Sequence, residues 1–385
     1  MNRSVDYRKR GQAVWLDSIS AGMIATGELA KRIEAGAIYG VTSNPTIFGM
    51  AIAKGGGDYE ARIAQLAEDE KDVLEIYDEL TRGDIAAGAD LFAAQHAANV
   101  EDGWISLEVL PSLAFDIDRT VAEATRLHNL LGRPNVFIKV PATPAGCVAF
   151  RTLIGAGISV NVTLMFNRKH YRDVARAYQD GIAAFVASGG DPATVSSVAS
   201  FFVSRLDTLV DKLLAEKAQG APAPLRARLD ALRGKAALAN AKVVYQDYLS
   251  TFGTESWKAL AAKGARVQRP LWASTGTKDP AYSDLLYVEN LVGPDTVNTI
   301  PAKTLEALLD HGRDLGDTVL EGVEEAHRTL DELKELGLDV EQLGEKLLAE
   351  GLVSFEKSYD ELLGVIEERR RAALLESART VKIKT

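Results

Sequence analysis

The stretch DRTVAEATRLHNLLGRPNVFIKVPA, residues 118–142, contains both kinds of element from which this chain is built. Its first part, residues 118–132, places apolar side chains three and four positions apart, which predicts an amphipathic helix. Its last part, NVFIKVPA (135–142), is a short apolar run rich in β-branched and aromatic residues, which predicts a buried strand. This pairing decides the fold, because it recurs along most of the sequence.

Eight apolar runs of this kind occur in the chain, and amphipathic segments separate most of them. Besides residues 135–142, the runs are AVWLDSI (13–19), AIYGVTS (37–43), WISLEV (104–109), ISVNVTLM (158–165), VSSVASFFV (195–203), RVQRPLWAS (266–274) and TVNTIP (296–301). Eight alternations of strand and helix predict an α/β fold, a (β/α)8 TIM-type parallel barrel. An open, doubly wound parallel sheet shows the same alternation and is the structural alternative. Its dinucleotide-binding form loses support, because no G-x-G-x-x-G follows the first strand.

The chain of 385 residues exceeds the roughly 250 residues of a minimal barrel. No linker separates two halves of different composition, so we expect one barrel domain spanning residues 1–385. The surplus is predicted to form additional helices at about residues 58–97, 206–252 and 303–380. The sequence does not say whether they cover the bottom of the barrel, lie over its mouth or form an oligomer contact. A monomer and a homodimer both remain open.

Composition excludes several classes of protein. The 44 basic and 54 acidic side chains give a formal charge of −10, which disfavours nucleic acid as a partner. No apolar stretch approaches the roughly 18 residues of a membrane span, so no membrane partner is expected. One cysteine and five histidines give little basis for a metal centre, and no metal is predicted. The first 17 residues carry basic side chains without an apolar core, which predicts a cytoplasmic protein.

The site of a parallel barrel lies at the carboxyl ends of its strands, so polar residues that interrupt or close the apolar runs are the candidates. Lys139 is the most informative of them, because it lies inside FIKVP, where desolvation disfavours an ammonium group. A neutral amine is a nucleophile toward a carbonyl, as in Schiff-base enzymes. Taken alone, such a lysine is more often one that reaches solvent from a strand end or pairs with a nearby acid.

Two carboxylates also lie within apolar runs. Glu108 is part of ISLEVL and Asp17 is part of VWLDSI. Three buried ionisable groups from three strands are costly to a fold that gains nothing from them. An amine with two acid–base groups is the set that Schiff-base chemistry on a sugar requires. The alternative is a structural ion-pair network that fills the centre of the barrel.

A second group of candidates suits a phosphate. Arg205 follows the sixth run, and Ser274 and Lys278 belong to ASTGTKD after the seventh, where barrels often bind phosphate. The alternative is a surface loop with an ion pair between Arg205 and Asp207. Asn298 is the polar candidate of the eighth run. Five more polar residues are candidates for binding sugar hydroxyls, although they also suit ordinary turns and strands: Asn44, Thr46, Asn161, Thr163 and Ser200.

Seven segments in fixed order resemble one family, the transaldolases of the bacterial type with additional helices. They are WLDSIS, GVTSNPTIF, ISLEVLPSLAFD, VFIKVPAT, SVNVTLMF, SFFVSRLD and LWASTGTKDP, and they extend from about residue 13 to residue 301. The resemblance implies a class I aldol mechanism in a barrel, without a cofactor or metal. It also implies transfer of a three-carbon dihydroxyacetone unit from sedoheptulose 7-phosphate or fructose 6-phosphate to glyceraldehyde 3-phosphate or erythrose 4-phosphate, in the pentose phosphate pathway.

The resemblance also implies roles for single residues. Lys139 matches the lysine that forms the Schiff base, and Glu108 and Asp17 match the acid–base carboxylates. Thr163 matches the residue that helps to hold the catalytic water. The residues that match substrate contacts are Asn44 and Asn161 for hydroxyls, Ser200, Arg205 for the phosphate, and Ser274 on the phosphate side.

The chain departs from the family pattern after the segment that matches LWAS. Better-known members have a second arginine there, whereas this chain reads TGTKD. Lys278 is the nearby cation and is our candidate for the second phosphate contact, although a lysine lacks the bidentate fork of arginine.

Three alternative functions remain open at the level of sequence. A simple aldolase would release free dihydroxyacetone instead of transferring it. An enzyme that binds pyridoxal phosphate at Lys139 would be yellow. A non-catalytic barrel that binds sugar phosphates would use the three buried ionisable residues for structure alone.

Overall fold

The computed structural model describes residues 2–54 and 57–384, so the predicted domain limits at residues 1 and 385 lie outside the described residues. The strands are β1 (Gln12–Leu16), β2 (Gly40–Val41), β3 (Trp104–Glu108), β4 (Val136–Pro141), β5 (Val160–Met165), β6 (Ser197–Phe202), β7 (Arg269–Ala273) and β8 (Thr296–Ile300). Each of the eight apolar runs therefore coincides with a strand, and only β1 begins outside its run, by one residue.

Helices follow the strands of the barrel, and further helices lie in the three segments that exceed a minimal barrel, at about residues 58–97, 206–252 and 303–380. They are α1 (Arg3–Lys9), α2 (Ala21–Ala25), α3 (Glu28–Glu34), α4 (Pro45–Lys54), α5 (Gly57–Glu68), α6 (Val73–Ala98), α7 (Ile117–Leu131), α8 (Pro144–Gly155), α9 (Arg168–Ala187), α10 (Ser204–Ala218), α11 (Ala223–Ala231), α12 (Ala236–Phe252), α13 (Glu255–Ala261), α14 (Leu286–Glu289), α15 (Ala302–His311), α16 (Val323–Glu335) and α17 (Val340–Lys384). Three short 3-10 helices cover Pro111–Leu113, Pro192–Thr194 and Thr318–Leu320.

The strands form a closed parallel barrel in sequence order, and β8 pairs with β1. The predicted (β/α)8 barrel is therefore confirmed, and the open, doubly wound sheet is wrong. The second strand is much shorter than its apolar run, residues 37–43. A β-carbon on Gly40 would lie 2.6 Å from the ring of Trp15, so this strand passes too close to its neighbour for any side chain.

Strand register brings the central polar residues to one level of the barrel. Glu108 on β3 pairs with Lys139 on β4, and Lys139 pairs with Asn161 on β5. Residues that are paired in register on neighbouring strands point to the same face of the sheet, so all three side chains share one face. That face also carries Phe137, whose ring stacks on Trp104 at a centroid distance of 3.9 Å.

Large aromatic rings close the barrel beneath these polar residues. Trp15, two positions before Asp17, also stacks against Phe137, at 6.2 Å between ring centroids. Trp15 and Phe137 are fully buried and Trp104 is nearly so, and all three precede a polar candidate on the same face of a strand. This aromatic floor keeps water away from the ionisable groups above it, which strengthens every charge interaction there.

The additional helices include the 45 residues of α17, which contacts α4, α5 and α6. Between residues 347 and 366, its buried apolar side chains form a stripe with helical spacing: Leu347, Leu348, Phe355, Tyr359, Leu362 and Ile366. The helix crosses the mouth of the barrel, because Phe355 faces the cavity at the strand ends and Ser358 accepts a hydrogen bond from Thr46. A helix with the length and apolarity to cross a membrane does not occur among the described residues.

The first turn of α8 lies so close to the end of β4 that Gly146 has no room for a side chain, and this yields a test of the packing. We expect Gly146→Ala to lower the unfolding free energy by about 3 kcal/mol, because overpacking without space to relax is costly. A β-carbon at Gly146 would lie 1.9 Å from the carbonyl oxygen of Pro141. Urea unfolding followed by circular dichroism measures the change.

Gly364→Ala is the matched control, because Gly364 lies in α17 with nothing within 4 Å of its added β-carbon. This change should raise stability by about 1 kcal/mol through helix propensity. Equal effects of the two substitutions would contradict the packing described for α8.

Candidate active site

A cavity of about 300 Å³ opens at the carboxyl ends of the strands, where the sequence predicted the site. Nine of the eleven predicted site residues line it: Asp17, Asn44, Thr46, Lys139, Thr163, Ser200, Arg205, Ser274 and Lys278. The other two, Glu108 and Asn161, lie against its wall. The barrel therefore collects residues from seven strands and their following loops at one place.

Lys139 lies at the bottom of this cavity and is only 4% exposed. Its Nζ is 3.2 Å from Oε2 of Glu108 and donates a hydrogen bond of 3.1 Å to the carbonyl oxygen of Ser43. Burial raises the pKa of Glu108, and the adjacent charge of Lys139 opposes that rise. The amine and the carboxyl group are therefore in direct contact, in a position to exchange a proton.

Asp17 lies beyond the end of β1 and faces the same cavity. Burial raises the pKa of Asp17, while a hydrogen bond from Thr42 and the charge of Lys139 act in the opposite direction. Oγ1 of Thr42 donates to Oδ1 of Asp17 at 2.6 Å, which leaves Thr299 as the donor in its 2.6 Å contact with Thr42. This chain of hydroxyls fixes the orientation of the carboxylate.

Thr163 and Ser200 present hydroxyls from β5 and β6. Oγ1 of Thr163 is buried and has no hydrogen-bond partner among the described residues. The next residue, Leu164, has a φ of 63°, a costly conformation for a branched side chain, at the point where the pairing of β5 with β6 shifts register. An unsatisfied buried hydroxyl beside strained backbone is typical of a position shaped for a ligand.

Asn161, a candidate for binding a sugar hydroxyl, lies behind the cavity wall, and its role stays a prediction. Its side chain is fully buried, donates from Nδ2 to Oγ of Ser106 at 3.1 Å, and accepts from Ser200 at 2.6 Å. It therefore holds Ser200 in place from behind the cavity wall. Glu108 likewise reaches Lys139 from the side of β3 and borders a second cavity of about 140 Å³, together with Tyr77 and Tyr359.

Arg205 is the second residue of α10 and lines the same cavity as Lys139. Its guanidinium lies 5.1 Å from the ring centre of Phe202 and 5.9 Å from that of Phe355. Within residues 2–54 and 57–384 it makes no ion pair or hydrogen bond. Burial lowers the pKa of Arg205, and the charge of Asp17 opposes this.

The ion pair that the sequence allowed between Arg205 and Asp207 does not form. Asp207 instead accepts hydrogen bonds from the backbone N–H of Ala237 at 2.7 Å and from the hydroxyl of Tyr287 at 2.8 Å. Burial raises the pKa of Asp207 to about 6. Arg205 is thus a half-buried cation whose donors point into a cavity, which is the arrangement that a phosphate or carboxylate completes.

Ser274 and Lys278 form the rim next to Arg205. Ser274 has a φ of 55° and shares a 3.0 Å hydroxyl contact with Ser204 at the start of α10. Lys278 is exposed at the entrance. Thr46, also at the entrance, donates its hydroxyl to Ser358 of α17 at 3.0 Å, so it joins the barrel to this helix.

Asn44 occupies the turn between β2 and α4, and its side-chain oxygen accepts from the backbone N–H of Ile47 at 2.9 Å. The side-chain oxygen of Asn44 therefore caps the amino-terminal end of α4, and the residue also lines the cavity. Asn298 does not reach the cavity, because its oxygen accepts from Thr275 at 2.8 Å, and the neighbouring Thr299 lines the cavity instead.

Comparison with known proteins agrees with this geometry. The family model of transaldolase/fructose-6-phosphate aldolase matches residues 14–366. The chain belongs to this family. The resemblance seen in the seven sequence segments is therefore confirmed, and the match extends to most of α17.

Several curated relatives of similar length are named transaldolase. The protein from Trichodesmium erythraeum is 42% identical over 372 residues, which is 96% of this chain and 97% of the relative. The protein from Parafrankia sp. is 46% identical over 369 residues, 96% of this chain and 98% of the relative. The protein from Arthrobacter sp. is 47% identical over 358 residues, 93% of this chain and 94% of the relative.

Sequence reasoning missed three parts of this family member's site. Phe355 belongs to α17, whose apolar stripe indicates a buried face but not the surface that it covers. Phe202 carries no polar group, so a search for chemistry passed over it. Thr299 was missed because the strand TVNTI gives no sign of which alternate residues face the interior.

The half-buried, partly desolvated carboxyl group of Asp17 should cost stability when it is ionised. Because the pKa of Asp17 is raised in the folded state, its contribution favours folding at low pH and weakens as pH rises through the folded pKa. Asp17→Asn should therefore raise the urea midpoint at pH 7.5, and the gain should shrink as pH falls toward the ordinary aspartate pKa of about 3.9.

Asp17→Asn should also reduce the turnover of the transaldolase reaction at least about 100-fold, which is the rate effect of removing one general acid–base group. Unfolding curves at several pH values together with the steady-state rate provide the measurement. A lower midpoint at pH 7.5, or a gain independent of pH, would contradict the raised pKa described for Asp17.

Proposed function

We propose that this protein is a transaldolase that moves a three-carbon dihydroxyacetone unit from a ketose phosphate to an aldose phosphate through a Schiff base on Lys139. One observation carries the proposal: the amine of Lys139 contacts the carboxyl group of Glu108, and the cavity lined by Lys139 is also lined by Arg205, a cation without an ion pair among the described residues. The donors are sedoheptulose 7-phosphate or fructose 6-phosphate, and the acceptors are glyceraldehyde 3-phosphate or erythrose 4-phosphate. The reaction belongs to the pentose phosphate pathway, and we place the enzyme in the cytoplasm.

Imine formation is the first step. Glu108, 3.2 Å from Nζ, takes a proton from the lysine, and the free electron pair of the nitrogen adds to C2 of the ketose. The C2 oxygen of the resulting carbinolamine then receives a proton from Glu108 and leaves as water. The product is a protonated imine, which accepts electrons from the adjacent carbon–carbon bond.

Cleavage of the C3–C4 bond is the second step. Asp17 accepts the proton of the C4 hydroxyl, the C4 oxygen becomes the aldehyde, and the C3–C4 electron pair moves into the imine to give an enamine. Burial raises the pKa of Asp17, which improves it as a base at neutral pH. The aldose phosphate leaves, and three carbons remain bound to Lys139.

Transfer reverses these steps with a new aldehyde. C3 of the enamine attacks the aldehyde carbon of the acceptor, and Asp17 returns its proton to the new C4 oxygen. Water then adds to C2 and gives one proton to Glu108. The carbinolamine nitrogen takes up the proton of the C2 hydroxyl, the C2–nitrogen bond breaks as the C2 carbonyl forms, and the ketose and the free lysine are released. The hydroxyl of Thr163 can hydrogen-bond this water, because it has no partner among the described residues and lines the same cavity as Lys139.

Substrate recognition is assigned to the remaining polar residues. Arg205 binds the phosphate, assisted by Ser274 and by Lys278 at the entrance. Asn44 and Ser200 bind sugar hydroxyls. Asn161 contributes by orienting Ser200. Thr46 contacts the substrate at the entrance of the cavity, where its hydroxyl already donates a hydrogen bond to Ser358 of α17.

Lys139→Met should abolish both transfer and trapping. We expect no adduct after borohydride reduction with fructose 6-phosphate, while the wild-type protein gains the mass of the reduced three-carbon fragment. Far-ultraviolet circular dichroism checks that the fold is retained. Lys278→Met, which removes a cation at the rim of the same cavity, is the control and should remain trappable. An adduct on the Lys139→Met protein would end the proposal.

Arg205→Met should lower kcat/KM for fructose 6-phosphate about 100-fold, the effect of losing charged hydrogen bonds worth about 2.7 kcal/mol. The loss should appear mainly in KM. Unphosphorylated dihydroxyacetone should still be trapped on Lys139 at the wild-type rate, because it has no phosphate for Arg205 to bind. Equal losses for both substrates would assign Arg205 a structural role instead.

Product analysis separates the transaldolase from its alternatives. With fructose 6-phosphate and no acceptor, a simple aldolase accumulates free dihydroxyacetone, whereas a transaldolase requires erythrose 4-phosphate for sustained turnover. A pyridoxal phosphate enzyme would absorb visible light after purification. In a non-catalytic barrel, substitutions at Lys139, Glu108 and Asp17 would change stability alone.

A further inference from the structure

We propose that Phe355 of α17 is a specificity-determining residue, whose ring excludes water from the three-carbon intermediate and thereby favours transfer over release. The inference rests on the proposed function. Phe355 lies outside the seven sequence segments, comes from a helix beyond the barrel proper, and has a buried ring that faces the cavity.

The ring of Phe355 lies close to both the amine of Lys139 and the guanidinium of Arg205. Its centre is 5.8 Å from Nζ of Lys139 and 5.9 Å from Cζ of Arg205. It therefore lies beside the space between the imine and the phosphate contact, which the departing aldose phosphate vacates. A ring in this place offers no strong hydrogen-bond partner to a water molecule that enters after the aldehyde has left.

The helix is held on both sides of Phe355, so the ring has a fixed position. One turn earlier, a β-carbon on Gly351 would lie 3.1 Å from Leu164 and 3.5 Å from Nη1 of Arg205, which shows how closely the backbone approaches the site. After Phe355, Ser358 accepts a hydrogen bond from Thr46 at 3.0 Å. The ring of Tyr359 then packs edge-on against Tyr77 at 5.1 Å.

The chemical consequence concerns the enamine stage. Release occurs while only three carbons are bound. It needs a proton on C3, which protonated Asp17 can return through an entering water molecule, and then a water molecule on C2, after which the C2–nitrogen bond breaks and dihydroxyacetone leaves. Transfer needs the same carbon, C3, to attack an aldehyde. The groups assigned to water, Glu108 and Thr163, belong to β3 and β5 of the barrel wall, whereas Phe355 closes the cavity from α17. Removing the ring opens a second approach for water at the stage where water competes with the acceptor.

The test measures partition between release and transfer. Wild-type and Phe355→Ala proteins are given fructose 6-phosphate with and without erythrose 4-phosphate, and both free dihydroxyacetone and sedoheptulose 7-phosphate are quantified. The ratio of release to transfer should rise about tenfold in Phe355→Ala, equivalent to about 1.4 kcal/mol between two competing barriers. Phe355→Leu, which retains apolar bulk, should restore most of the wild-type ratio.

Leu362→Ala is the matched control, because Leu362 is buried in the same stripe of α17 and packs near Gly49 instead of the cavity. It should lower stability without moving the ratio. An unchanged ratio in Phe355→Ala, the same rise in Leu362→Ala, or a Phe355→Leu protein that behaves like Phe355→Ala would each overturn the inference. Borohydride trapping of wild-type Lys139 separates this failure from that of the proposed function: an adduct on Lys139 keeps the proposed Schiff base, whereas the absence of any adduct would end the proposed function.

Discussion

The contact between Lys139 and Glu108 is the constraint on which the rest of the site depends. Two opposite charges 3.2 Å apart, both buried, gain Coulomb energy but lose the hydration of both groups. Asp17 adds a third ionisable group to the same interior, and burial raises the pKa of both carboxyl groups. A fold tolerates such a cluster only when its surroundings hold every member in place.

Two sets of aromatic side chains surround the ionisable groups, one from the barrel strands and one from a helix outside the barrel. The rings of Trp15, Trp104 and Phe137 lie on the interior face of the barrel strands and exclude water from below. Phe355 excludes it from above and belongs to a helix that is separate from the eight strands. The polar groups thus occupy a thin layer between two aromatic surfaces, where their mutual distances determine how protons are exchanged.

The eight strands and the central residues were predictable, because an apolar run of strand length that contains a charge is rare and each such run ends at the same face of a barrel. Three details were not. Asn161 lies behind Ser200, Arg205 does not pair with Asp207, and Thr299 replaces Asn298 at the cavity. Each depends on side-chain direction, which strand register and loop geometry fix and which sequence spacing leaves open.

The sequence by itself therefore determined the barrel, the amine with its two carboxyl groups and the family, since local periodicity and short motifs carry that information. Tertiary structure alone decided the route of α17. An amphipathic helix specifies that one face is buried, but the surface that covers it is chosen by complementary shape over distant residues. For this reason Phe355, more than two hundred positions from Lys139, appears as part of the site only in the folded chain.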